Sequence, residues 1–225
     1  MNERAFFDAI RAKPFGGKLK TGQVDGLGKI VDEAERRKTP LRHLAYILAT
    51  AYHETAHTMQ PIREMGGEKY LRSKRYYPWV GEGLVQVTWQ ENHAKFGATK
   101  PGQMLTWPIA LRAIFEGMTK GMFTGKSLND YITSSKTDYV GARRIVNGTD
   151  KASLIAGYAE SFERALSAAG YGKAPHVPTP TPKPAKKPAS AQGGKASPSP
   201  APEAETTPAA SGGFWAWLFS FFRGK

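Results

Sequence analysis

Residues 39–59, TPLRHLAYILATAYHETAHTM, constrain the chain more than any other stretch. Leu44, Ile47, Leu48 and Ala51 recur at three- and four-residue steps, the period of a helix with one apolar stripe, so the segment is expected to be buried along most of its length. Thr39 is placed to cap it with a hydroxyl, and Pro40 to take the first helical position, where a missing N–H costs nothing. Pro61 marks the expected end. A helix of this kind needs a core wrapped around it. Glu54 lies three residues beyond Ala51, close to the stripe, and a desolvated carboxyl is the setting in which a general acid holds its proton near neutral pH.

His53, Glu54 and His57 also fit H-E-x-x-H, which on a helix sets two imidazoles on one face as zinc ligands with the Glu as base. The longer metzincin version is excluded, because Gln60 and Arg63 stand where its glycine and third histidine belong. A zinc peptidase therefore needs a ligand from elsewhere, and no ligand helix follows before Glu64. The plainer reading is that the histidines pack or hydrogen-bond around the helix end, His57 more so than His53.

The other chemistry uses carboxylates. Cleaving a glycosidic bond takes one protonated acid at the leaving oxygen and one carboxylate that activates water or attacks the sugar. Glu54 and Glu64 would face each other if the chain folds back between Pro61 and Gly67, at roughly 6.5–9.5 Å if the enzyme inverts. Three separated blocks, AYHETAHTMQPIRE, YYPWVGEGLVQVTWQENHAKFG and DYVGARRIVNGTDKASLIAGYAESFERAL, occur in the order found in glycoside hydrolase family 19. Residues 1 to 170 resemble that family's catalytic domain, and more closely its phage and prophage endolysins.

The resemblance implies a lysozyme-like, two-lobed helical domain with a small β element. It makes Glu54 the general acid and Glu64 the second carboxylate, with Glu68 as fallback. It also implies that Thr88 holds the attacking water, that Gln86 and Asn92 bind the acetamido sugar, and that Asn147 lines the same cleft. Glu82 stands where the family has an arginine, a charge reversal that makes it a rival second carboxylate. No metal or cofactor is implied. Read without the resemblance, Gln86 and Thr88 are the half-exposed face of an alternating strand whose other face is Val85, Val87 and Trp89, and Asn147-Gly148 is an ordinary helix stop.

The rest of the chain reads as mostly helical. A first helix is expected from Asn2 to about Ala12, with Phe6 and Ile10 inward. A second runs from Thr21 to Arg37 with Val24, Leu27, Ile30 and Val31 on one side, a short helix follows Trp89 to Phe96, and a longer one runs from Thr106 to about Met122. Asp138 to Val146 and Asp150 to Ala168 each begin with an Asp at the cap. Between residues 61 and 83, Arg63, Lys69, Arg72, Lys74 and Arg75 alternate with Tyr70, Tyr76, Tyr77 and Trp79. Tyr77 is the ring expected on a sugar face.

Composition bounds the remainder. There is no cysteine, so a disulfide scaffold and a thiol nucleophile are excluded. The net charge is +13, of which the first 172 residues hold +8, a balance that draws polyanions. No nucleic-acid reading motif accompanies it. MNERAFFDAIRAKPF lacks the apolar core of a secretory signal, so synthesis in the bacterial cytoplasm without a cleaved leader is expected. From residue 173 to 213 the chain turns to Pro, Ala, Ser, Thr and Lys, with ten of its sixteen prolines, a composition expected to form an extended, disordered linker. Residues 214–225, FWAWLFSFFRGK, are far short of the roughly 20 needed to span a bilayer. They suit insertion into an anionic membrane interface. The combined expectation is a monomeric, wall-lytic glycosidase on peptidoglycan strands. Chitinase, zinc peptidase and non-catalytic glycan-binding module are the alternatives.

Overall fold

The structure is a computed structural model and describes residues 1–173. The predicted linker and the aromatic segment after it lie outside the described residues. Eight α-helices are described: α1 (Glu3–Ala12), α2 (Thr21–Arg36), α3 (Leu41–Glu54), α4 (Gly67–Arg72), α5 (Gln90–Lys95), α6 (Trp107–Lys120), α7 (Leu128–Tyr131) and α8 (Ala152–Ala168). Strands β1 (Ile62–Arg63) and β2 (Glu82–Gly83) pair antiparallel, with Ile62 opposite Gly83 and Arg63 opposite Glu82. Two 3-10 segments, Gln103–Leu105 and Gly141–Ile145, complete the set. The protein is mainly helical, as its periodicities imply, with a small sheet.

The central helix is α3. Every residue from His43 to Glu54 is buried, and each fully buried Leu or Ile contributes about 1.5–3 kcal/mol. α8 lies along α3, and α1 packs on α8. Glu163 of α8 accepts from Arg42 Nε and from the Tyr139 hydroxyl, each at 2.9 Å, which fixes the start of α3. The Asn2 side chain caps α1 by accepting from Ala5 N at 3.1 Å, with Phe6 and Ile10 inside as expected.

Several boundaries differ from the sequence reading. Pro40, not Thr39, is the N-cap of α3, and no side-chain cap bond forms there. The helix stops at Glu54 rather than running to Pro61. The Thr55 hydroxyl donates back to Ala51 O (2.7 Å) and accepts from Met59 N (3.0 Å), a local side-chain bond that competes with further helix. His57 N then reaches Tyr52 O at 2.8 Å, a closing pattern in which orphan carbonyls are satisfied past the helix end. Val24 is 37% exposed, so only Leu27, Ile30, Val31 and Ala34 form the inner stripe of α2. Asp138 to Val146 holds a five-residue 3-10 segment instead of an α-helix; Asp138 Oδ1 accepts from Gly141 N at 2.7 Å. α8 begins at Ala152, two residues after Asp150, with no side-chain cap.

The expected alternating strand at 82–89 is a tight turn. Glu82 and Val87 exchange both backbone bonds (3.0 and 2.9 Å) and close a loop over residues 83–86. Leu84, Val85 and Val87 enter the main core, and Gln86 and Thr88 are buried as well, each 2% exposed, so the predicted polar face does not exist. A second, separate apolar cluster of Leu71, Tyr76 and Val80 sits under Tyr70, Tyr77 and Trp89.

Candidate active site

Glu54 ends α3 at 2% exposure. Its Oε1 accepts from Arg143 Nη1 at 2.7 Å, and Arg143 is itself 1% exposed. The desolvated carboxyl is thus an ion-paired one. Arg143 Nε donates to Asp150 O at 3.1 Å, and Arg143 O accepts from Asn147 N at 3.0 Å. The 3-10 segment therefore carries both Arg143 and Asn147 to the end of α3. Arg143 is the residue the sequence reading misses. The signal was there: a buried glutamate needs a cation, and the Arg-Arg doublet stands four residues before Asn147.

Glu64 follows β1 directly and is 4% exposed. Its Oε1 accepts from the Tyr76 hydroxyl (2.9 Å) and its Oε2 from Gly81 N (3.0 Å). Burial pushes its pKa up, while the Gly81 N–H and the Tyr76 O–H oppose that by bonding to the anion. Tyr76, one of the rings that alternate with basic residues between 61 and 83, is buried in the small cluster, where it serves this carboxylate.

The Gln86 amide nitrogen donates to Ile62 O at 3.0 Å and Gly83 O at 3.3 Å, which ties it to β1 two residues before Glu64. That orientation leaves Oε1 buried with no partner among the described residues. Gln86 has φ +51°, a left-handed conformation uncommon outside glycine. The Thr88 hydroxyl donates to Gln86 O (3.2 Å), and the Asn92 side chain donates to Thr88 O (2.9 Å). Gln86, Thr88 and Asn92 are therefore one bonded chain beside the strand that leads into Glu64. The structure groups Glu54 with Asn147, and Glu64 with the other three.

The remaining candidates are placed elsewhere. Glu68 is exposed and bonded to Arg63 (2.9 Å), Arg72 (3.1 Å) and the Tyr77 hydroxyl (2.8 Å). Arg63 above all holds its pKa down, to about 2. A carboxylate so engaged is a poor base, and Tyr77 spends its hydroxyl on it. Glu82 is 1% exposed, and both its oxygens accept from Gly102 N at 2.9 Å. It fastens the sheet to the turn before the first 3-10 segment, and burial raises its pKa.

His57 lies past the end of α3 with φ +67°, its ring stacked on Tyr52 at 4.1 Å. The helix that would set His53 and His57 on one face is not there. Burial lowers the pKa of both imidazoles.

The connector between the two carboxylates is clamped to α2. Gln23 donates to His57 O (2.9 Å), Gln60 donates to Gly22 O (2.6 Å), and a Cβ on Gly26 would stand 1.9 Å from Met59 O.

No protein-family model, no characterised protein and no solved structure matches this chain.

Proposed function

We propose that the protein is an endolysin-type glycosidase with a lysozyme-like arrangement of helical body and small sheet. It cleaves β-1,4 bonds between N-acetylated amino sugars of bacterial peptidoglycan and so lyses the cell wall. The observation that carries this reading is the pair of buried carboxylates, Glu54 and Glu64, held on different elements by different donors. Glu54, once its carboxylate has taken up a proton, protonates the leaving oxygen, and the Arg143 guanidinium stabilises the carboxylate that is left. Glu64 takes a proton from water held by the Thr88 hydroxyl. The unpartnered Gln86 Oε1 suits the N–H of an acetamido group, with Asn92 and Asn147 as further polar contacts. The net charge of +8 on residues 1–172 favours an anionic wall polymer over uncharged chitin.

Mass spectrometry of fragments released from purified peptidoglycan tests the reading, with wild type and Glu54→Gln each assayed with and without EDTA. Disaccharide-peptides bearing a new reducing end, absent with Glu54→Gln and unaffected by EDTA, are expected. Freed peptides, or activity lost in EDTA, would instead make the protein a metal-dependent peptidase.

A further inference from the structure

Next to Asn147 lies a groove of about 380 Å³. One wall is the turn after α6, with Phe123, Thr124 and Lys126; the other is the end of the second 3-10 segment, with Arg144 and Gly148 flanking Asn147. The walls are tied together, because the Thr124 hydroxyl donates to Arg144 O (2.6 Å) and Ile145 O (3.0 Å). The Phe123 ring is seated so closely on α6 that a Cβ on Gly117 would come within 2.2 Å of it, and it also packs against Phe96 at 5.7 Å. The groove is therefore built into the fold. Its charge is one-sided: Lys126 and Arg144 are exposed, and neither forms an ion pair among the described residues. The carboxylate whose charge reaches Lys126 is Asp130, already bonded to Ser127 N (2.7 Å) and the Ser127 hydroxyl (3.1 Å).

Two exposed cations and an apolar ring line a groove that also includes Asn147, whose N–H donates to Arg143 O at 3.0 Å, and together they form a receptor for an anion borne by whatever occupies the site. We infer that this groove is a subsite for a carboxylate on a substituent of the bound amino sugar, as in the lactyl-linked peptide of peptidoglycan. The inference rests on the glycosidase reading and names the part of the substrate that chitin lacks.

The test is a binding measurement that needs no turnover. Full-length wild type and Lys126→Gln/Arg144→Gln are titrated with muramyl dipeptide, its uncharged amide, N-acetylmuramic acid and chitotriose, followed by backbone amide NMR shifts. Both substituted side chains are exposed, and thermal melts verify that the variant folds. Muramyl dipeptide should bind the variant about fivefold more weakly, the sum of two partly screened ion pairs, with shifts in wild type centred on Gly125 and Gly148. The amide and chitotriose should bind both proteins alike. N-acetylmuramic acid carries its charge on the lactyl carboxyl that is amide-linked in the dipeptide, so weaker binding than the dipeptide supports a seat for the peptide's carboxylate, and equal binding overturns that seat. Equal affinity of variant and wild type for muramyl dipeptide, or no binding by either, overturns the inference. Charge-dependent binding in a protein that releases free peptides from the wall, or whose cleavage is lost in EDTA, would leave the groove standing and remove the glycosidase reading.

Discussion

At the scale of single residues, Glu64 and Tyr76 set the pH behaviour. A base works only when unprotonated, and burial lifts Glu64 above the ordinary 4.5, so the acid limb of kcat/KM should lie above that value. Tyr76→Phe removes a donor that stabilises the anion, and the limb should climb further. A pH profile of both proteins checks this; a limb that stays put or moves down takes Glu64 out of the base role. The same shift has a stability consequence of opposite sense. The folded state holds the Glu64 proton to higher pH than the unfolded chain does, so Glu64 subtracts stability as pH rises from 4.5 through its raised value. Activity and destabilisation thus share a pH window. The candidates themselves were legible in the sequence as residue types in order, but their partners were not. Arg143 and Gly81 reach the two glutamates across 89 and 17 residues; the need for a cation beside Glu54 was readable, but local pattern does not say which distant group meets which glutamate.

Among the elements, those with strong period were read closely. α1 and α2 fall within a residue of their predicted ends, because Asn2 caps, buried stripes and glycine-proline breaks all act locally. The failures lie where side chains override the backbone pattern. Thr55 ends α3 early by bonding its own turn, and the 82–89 alternation is folded into a turn because the core accepts both of its faces. The connector that Thr55 starts is the element most open to test. At Gly26 an alanine methyl meets backbone, Met59 C at 2.8 Å as well as its oxygen, and backbone yields less readily than a flexible side chain. Gly26→Ala should cost about 1–3 kcal/mol, as overpacking does, although alanine ordinarily favours a helix. Urea unfolding gives the value; a neutral or stabilising result would mean that the connector is free to shift.

For the molecule as a whole, the described residues hold one main core and every candidate reactive group, and the membrane role proposed for residues 214–225 can be tested apart from them. A protein ending at Ala174 should keep its hydrolytic activity on isolated wall and bind anionic liposomes less well than the full chain. Co-sedimentation with liposomes measures this, and equal binding by the two forms would remove the membrane role of residues 214–225. Within the described part, the clamp of α2 on the connector reaches further than its few hydrogen bonds suggest. α2 contributes no reactive side chain, yet Gly22, Gln23 and Gly26 hold the seven residues that separate α3 from β1. Tolerance to substitution should therefore be uneven along this helix: strict at Gly26, where a Cβ meets the Met59 backbone, and at Gln23, whose side chain holds His57 O, but loose at Val24 and at Gly22, which contributes only its carbonyl and has room for a Cβ.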